Sequence, residues 1–223
     1  YASARTLCPD VIPLPDGRYR MYFEARTTDQ PTVILSAIPD DGLSWQPEPG
    51  LRFGDATWSY GTPRCLYIEG DQPSAYRFRL YFHRYTFPLV AGIDAGNVII
   101  SAVSSDGLVF EEEEGIRIAQ ETDRETYSVY APEVVRLGDG SYRMYYSGWS
   151  EEVRGGVFTA RSSDGLTWLK HPEPCIELGD RWDSSMVSEP CVIGLDDGRS
   201  RLFYEACDGE ENYRILSATS VGS

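Results

Sequence analysis

The chain lacks any apolar run approaching the roughly 20 residues that a membrane-spanning helix needs, so a bilayer span is not expected. It also lacks CxxC spacing. Its five cysteines, Cys8, Cys65, Cys175, Cys191 and Cys207, are an odd number that suits a disulfide framework poorly. A reducing, cytoplasmic setting is the expectation, although a processed secreted protein would open the same way. There is no basic stripe. The 20 Lys and Arg are scattered among 35 Asp and Glu, and the formal charge of −15 repels phosphate backbones, which argues against nucleic acid and polyanionic substrates. Short Cys or His pairs of the zinc-site kind are missing, so no metal or other cofactor is expected. Helical periodicity and low-complexity linkers are absent too. What remains is a chain of 223 residues, 41% hydrophobic and 13% aromatic, that reads as one domain over residues 1–223.

A seven-residue pattern occurs four times, as CPDVIPL from Cys8, TPRCLYI from Thr62, APEVVRL from Ala131 and EPCVIGL from Glu189. Each copy puts a proline just before an apolar run, with varied polar residues on either side. A second aromatic-rich run follows each copy: DGRYRMYFEAR from Asp16, SAYRFRLYFHRY from Ser74, DGSYRMYYSGW from Asp139 and DGRSRLFYEAC from Asp197. Asp-Gly between alternating apolar runs is a hairpin signal, because glycine accepts the positive φ of a tight turn. A third run reads VILSAIPDDGLSW from Val33, VIISAVSSDGLVF from Val98, VFTARSSDGLTW from Val157 and RILSATS from Arg214. Its Asp-Gly turn leads to a short outer strand, and the aromatic beyond it, Trp45, Phe110 or Trp168, is expected to pack between sheets.

Four antiparallel strands recurring between Pro9, Pro63, Pro132 and Pro190, at spacings of 54, 69 and 58 residues, predict an all-β β-propeller of four blades. The blades span about 8–50, 62–115, 131–175 and 189–220, and residues 1–7 are expected to complete the fourth sheet and close the ring. Closure would make Asp10 and Glu189 start adjacent inner strands, with Arg64 facing Glu133. The insertion spanning Gly92 to Gly96 reads as a lid or a subunit contact, which leaves a homo-oligomer open.

These strand patterns resemble the five-bladed glycosidase propellers: family 43 arabinanases and xylosidases, and family 32 invertases. The resemblance covers nearly the whole chain and implies a carbohydrate substrate and three carboxylates at the mouth of a channel. It implies Asp10 as base, Glu133 in the Tyr130-Ala131-Pro132-Glu133 segment as the tuning carboxylate, and Glu189 beside Pro190 as general acid. Two departures stand out. Asp10 follows its proline where the family's base precedes it, and the second repeat offers Arg64 in place of a carboxylate.

Chemistry points to the same positions independently. Acetal cleavage needs a proton donor and a facing carboxylate, and crowded carboxylates raise one another's pKa while an arginine such as Arg64 holds one ionised. The second runs align Glu24, His83, Ser147 and Glu205 in a column, followed two positions on by Arg26, Tyr85, Trp149 and Cys207. Glu24, His83 and Glu205 can carry protons, and Tyr85 and Trp149 offer flat faces to a sugar. Trp58, Tyr60, Tyr127, Tyr130 and Trp182 precede or begin inner strands, where they would wall a small-molecule pocket or pack between blades. Cys8 and Cys191 read as buried thiols, with a disulfide or a nucleophile as alternatives. Three functions compete: a glycosidase-like hydrolase, a small-metabolite isomerase, lyase or cyclase using His83, and a binding or assembly propeller plugged by Asp10, Arg64 and Glu133.

Overall fold

Side chains alternate between more and less buried along segments such as Tyr19–Arg26 and Tyr213–Thr219 and are buried almost continuously along Val98–Ser104, and the regular structure of the described residues is strand throughout. The structure is a computed structural model that describes residues 2–39, 43–68, 77–86, 97–152 and 154–221; Gly92 to Gly96, the expected lid, lie outside them. The chain divides into two compact units, Tyr1–Ile118 and Ala119–Ser223.

The first unit holds two four-stranded antiparallel sheets. One runs β1 (Arg5–Pro13), β2 (Tyr19–Arg26), β3 (Val33–Pro39) and β4 (Trp45–Pro47), and the other β5 (Trp58–Tyr67), β6 (Phe78–Thr86), β7 (Val98–Ser104) and β8 (Glu111–Glu112). The second unit holds β9 (Ser128–Arg136), β10 (Tyr142–Trp149), β11 (Gly156–Ser162) and β12 (Leu169–Lys170) in one sheet. Its other sheet has three strands among the described residues: β13 (Met186–Gly194), β14 (Ser200–Cys207) and β15 (Tyr213–Thr219). The chain is thus all-β, and its four sheets are propeller blades, as the repeats predict.

One expectation is corrected. Among the described residues the opening segment joins the first sheet and not the fourth: Arg5, Thr6 and Leu7 pair with Arg26, Ala25 and Glu24, and the Ala4 amide reaches the Arg26 carbonyl at 3.0 Å. Extending a hairpin already formed costs far less loop-closure entropy than pairing with a strand two hundred residues away.

The hairpin turns follow the sequence. Gly17, Gly140 and Gly198 take φ of 84, 85 and 82°, and Asp16, Asp139 and Asp197 accept the amide two residues on. Serine and aspartate organise the outer turns: Gly107 donates to Ser104 Oγ and Gly165 to Ser162 Oγ, while Asp106 and Asp164 accept two amides each. Phe110 packs edge-on against Tyr22 of the neighbouring blade at 5.8 Å, the role expected of it; Trp45 and Trp168 are half-buried.

Within the first unit the core gathers Tyr22, Ile34, Tyr60, Leu80, Phe82 and Ile100, all with almost no exposed surface. Val157, Val187, Leu202, Tyr204 and Ala206 form a core in the second unit. Burying each large apolar side chain contributes about 1.5–3 kcal/mol, so these clusters supply most of the drive to fold.

Candidate functional site

Every inner strand carries the same defect, and the proline explains it. The strand-pairing register slips between Leu7 and Asp10, between Gly61 and Arg64, and between Ser188 and Cys191, and β9 skips from Tyr130 to Glu133. Proline has no N–H to give a sheet ladder and therefore settles into a bulge. The residue before it is left-handed: φ is 51° at Cys8, 47° at Thr62, 50° at Ala131 and 51° at Glu189. A non-glycine residue held there costs about 1–3 kcal/mol and needs support from its surroundings.

At Thr62 and Glu189 the support comes from the preceding blade of the same unit and uses the same two bonds. In the first unit the Thr62 amide donates to Glu24 Oε2 at 3.0 Å, and the Cys65 amide donates to Asp10 Oδ2 at 2.6 Å. In the second, the Glu189 amide donates to Ser147 Oγ at 2.8 Å and the Val192 amide to Glu133 Oε1 at 2.9 Å. Asp10 and Glu133 are equivalent latches on the next bulge, as are Glu24 and Ser147. Each column residue also pairs with the residue just before a bulge: Leu7 with Glu24, Gly61 with His83, Tyr130 with Ser147 and Ser188 with Glu205.

The first unit therefore assembles Asp10, Glu24, Thr62, Arg64, His83 and Tyr85 around its bulges. His83 Nδ1 lies 2.7 Å from Thr62 Oγ1, its ring stacks on Tyr85 at 5.2 Å, and the Tyr85 hydroxyl donates to Thr32. A Cβ on Gly61 would meet Glu24 Oε2 and His83 Cε1 at 2.6 Å each, so glycine is what lets the two side chains close over the strand. Burial pushes the Glu24 carboxyl above its ordinary range, against the Thr62 amide that pulls it down, and burial pushes the His83 imidazole down to about 4. Arg64 reaches the carbonyls of Pro63 at 3.1 Å and Pro9 at 3.5 Å. Trp58 is set apart: it packs on the core with Arg84 4.9 Å above its ring.

The second unit assembles Tyr130, Ser147, Ser188, Glu189 and Glu205. Ser188 donates to Glu205 Oε2 at 2.8 Å. Burial, with the charges of Glu189 and Glu205 behind it, raises the Tyr130 hydroxyl pKa, so it stays a donor at any ordinary pH. Glu189 is exposed and Glu133 almost fully buried. Trp149 ends β10 against Tyr127, with ring centroids 5.1 Å apart. Trp182 lies on an exposed loop between the guanidiniums of Arg181 and Arg214, 4.0 and 4.7 Å from its ring.

A buried network is missing from the sequence reading. Glu125, with no exposed surface, accepts the Tyr146 hydroxyl at 2.6 Å and Lys170 Nζ at 2.8 Å. The available signal is positional: an acidic residue stands six or seven residues before three of the bulges, at Asp55, Glu125 and Asp183, and each accepts a tyrosine hydroxyl. The five cysteines are all thiols, Cys65 and Cys207 buried and Cys191 exposed. Among the described residues no group of three or more His, Cys, Asp or Glu is placed to hold a metal, and no helix is long and apolar enough to cross a membrane.

Comparison with solved structures defines the fold class. A thermostable family-43 glycoside hydrolase superposes with a TM-score of 0.80 at 17% identity, covering 100% of this chain and 74% of that one. A second glycoside hydrolase gives 0.79 at 18%, covering 98% and 69%. The chain shares its β-propeller fold with these two proteins and carries buried acidic residues of its own. No protein-family model matches it. The uncharacterized protein MT1551 of Mycobacterium tuberculosis (strain CDC 1551 / Oshkosh) is 30% identical over 231 residues, 94% of this chain and 72% of that protein. The uncharacterized protein Rv1502 of strain ATCC 25618 / H37Rv is 29% identical over the same shares. The chain belongs to the MT1551 family.

Proposed function

We propose that the protein is a carbohydrate-active enzyme that breaks a glycosidic bond by carboxylate acid–base chemistry, with Glu189 as the proton donor. The observation that carries this reading is the position of Glu189. It is the carboxylate that stands at the left-handed residue of a bulge, exposed to solvent, with its own amide pinned by Ser147. A strained, rigidly held backbone that aims a carboxyl outward is what a general acid needs, because the donor must already sit at the leaving oxygen when the bond breaks. Tyr130, Ser188 and Glu205 supply a hydroxyl donor and a second carboxylate beside it. Glu133 spends one oxygen on the Val192 amide and thereby shapes the bulge that carries Glu189, which is a positioning role. Asp10 holds the Cys65 amide in the first unit as Glu133 holds the Val192 amide in the second, the same positioning role.

The test is Glu189→Gln, which is nearly isosteric. Wild type should release aglycone from at least one aryl glycoside in a broad panel, and the variant should turn over more slowly by about a hundredfold or more with its thermal unfolding unchanged. A wild type that cleaves no glycoside, or a variant that keeps full activity, overturns the proposal. A second reading has its own support in the Glu24 and His83 pair closed over Gly61: an isomerase or lyase acting on a small metabolite. Its mark is turnover of a non-glycoside that is lost in His83→Gln.

A further inference from the structure

We infer that the second unit carries a binding site for a small carboxylate-bearing molecule, in a cleft of about 630 Å³ between its two blades. One position changes character across the repeats. In the first blade Arg20 grips Glu48 with both arms, at 2.8 and 3.0 Å, and Ser36 donates to the same carboxylate at 2.6 Å. The second blade repeats this with Arg79, Glu113 and Ser101, at 2.9 and 2.7 Å. Strand register places Arg143 and Thr159 of the third blade where those arginines and serines stand. The carboxylate has gone: its place belongs to His171, whose amide bonds the Thr159 carbonyl as Glu48 bonds Ser36 and Glu113 bonds Ser101.

A second replacement opens the space. Arg52 and Arg117, whose amides bond the Ile34 and Ile99 carbonyls, fold their guanidiniums back onto carbonyls of their own turns in the first two blades, at Pro49 and at Glu114 and Gly115; in the third, the residue making that bond is the much smaller Cys175. Directly across the strand pair from Arg143 stands Arg161, a second cation on the same face. Two like charges opposite one another are unfavourable without a shared anion. Among the described residues no carboxylate comes within ion-pair distance of either guanidinium, while both line the cleft. The other charged groups there are accounted for: Lys170 is held by Glu125 at 2.8 Å, and Glu173 is at the exposed rim with its carbonyl and amide on His171. Tyr145, Ile176, Val192 and Leu202 supply apolar wall.

The repeat itself shows what fits. A planar carboxylate on an arginine fork with a hydroxyl donor beside it is the arrangement the first two blades build from their own glutamates, and the third blade leaves it for a ligand. The site does not depend on the acid–base reading of Glu189.

Isothermal titration would use benzoate and glucuronate, each against its uncharged counterpart, benzamide and glucose, with inorganic phosphate as a further arm. At least one carboxylate should bind saturably, and its counterpart should not. His171→Glu is the decisive variant, because it restores the repeat's own carboxylate to Arg143: it should weaken carboxylate binding at least tenfold while leaving thermal stability equal or higher. Arg161→Gln should weaken it as well. Absence of saturable binding by either carboxylate, unchanged affinity in folded His171→Glu, or phosphate binding as tightly as the carboxylates would each overturn the assignment.

Discussion

Lowering the pH should destabilise this protein through His83, and the size of the effect follows from the structure. The imidazole is buried against Thr62 and Tyr85 and its pKa falls from 6.5 to about 4. In the unfolded chain the same group takes a proton near 6.5, so between 6.5 and 4 the unfolded state binds the extra proton and stability falls as pH falls. Each tenfold difference is worth about 1.4 kcal/mol, which makes the full loss about 3 kcal/mol and the part lost between pH 7 and pH 5 about 2 kcal/mol. Glu24 works the other way: its carboxyl is raised by burial, so it favours the folded state at low pH and loses that contribution as pH rises. Comparison with His83→Gln cancels Glu24 and every other common group. Urea unfolding of both proteins at pH 7, 6 and 5 should show the advantage of wild type over the variant shrinking by about 2 kcal/mol across the series. Parallel curves would refute the claim that burial holds His83 neutral.

Removing the latch in Glu133→Ala should cost about 2 kcal/mol, since the Val192 amide then loses a charged acceptor; Glu133→Gln, which can still accept, should cost well under half of that in the same unfolding assay. Ala131→Gly should raise stability by about 0.5–1 kcal/mol, because glycine adopts a φ of 50° without a Cβ penalty; an unchanged or lower midpoint would show that the bulge is not strained. Lys170→Met should destabilise by about 3 kcal/mol or more by stranding Glu125, and Lys170→Met with Glu125→Gln should recover part of that loss, measurable as a shift in melting temperature.

Local rules made much of the fold legible. Asp-Gly turns, prolines ahead of apolar runs and period-two alternation are short-range signals, and they located the blades, the hairpins and the outer turns. The alignment of Glu24, His83, Ser147 and Glu205 was equally readable, because register in a hairpin follows from its turn. Partner choice across blades was not. Nothing local in Asp10 or Glu133 says that each will spend an oxygen on an amide 55 or 59 residues further along the chain. Trp58 and Trp182 read as pocket walls or as packing between blades, and the sequence does not choose: Trp58 packs on the core beneath Arg84 and Trp182 lies exposed between two arginines, because an aromatic's neighbours depend on loop paths that composition does not encode.

The amino-acid sequence by itself determined strand, turn and repeat, since backbone sterics and side-chain alternation act within a few residues. Tertiary structure decided which carboxylates became latches, which became neighbours of histidine or tyrosine, and where a repeated ion pair was broken to leave a cleft. Those outcomes depend on hydrogen-bond partners and low-dielectric surroundings that exist only once one blade is packed against the next.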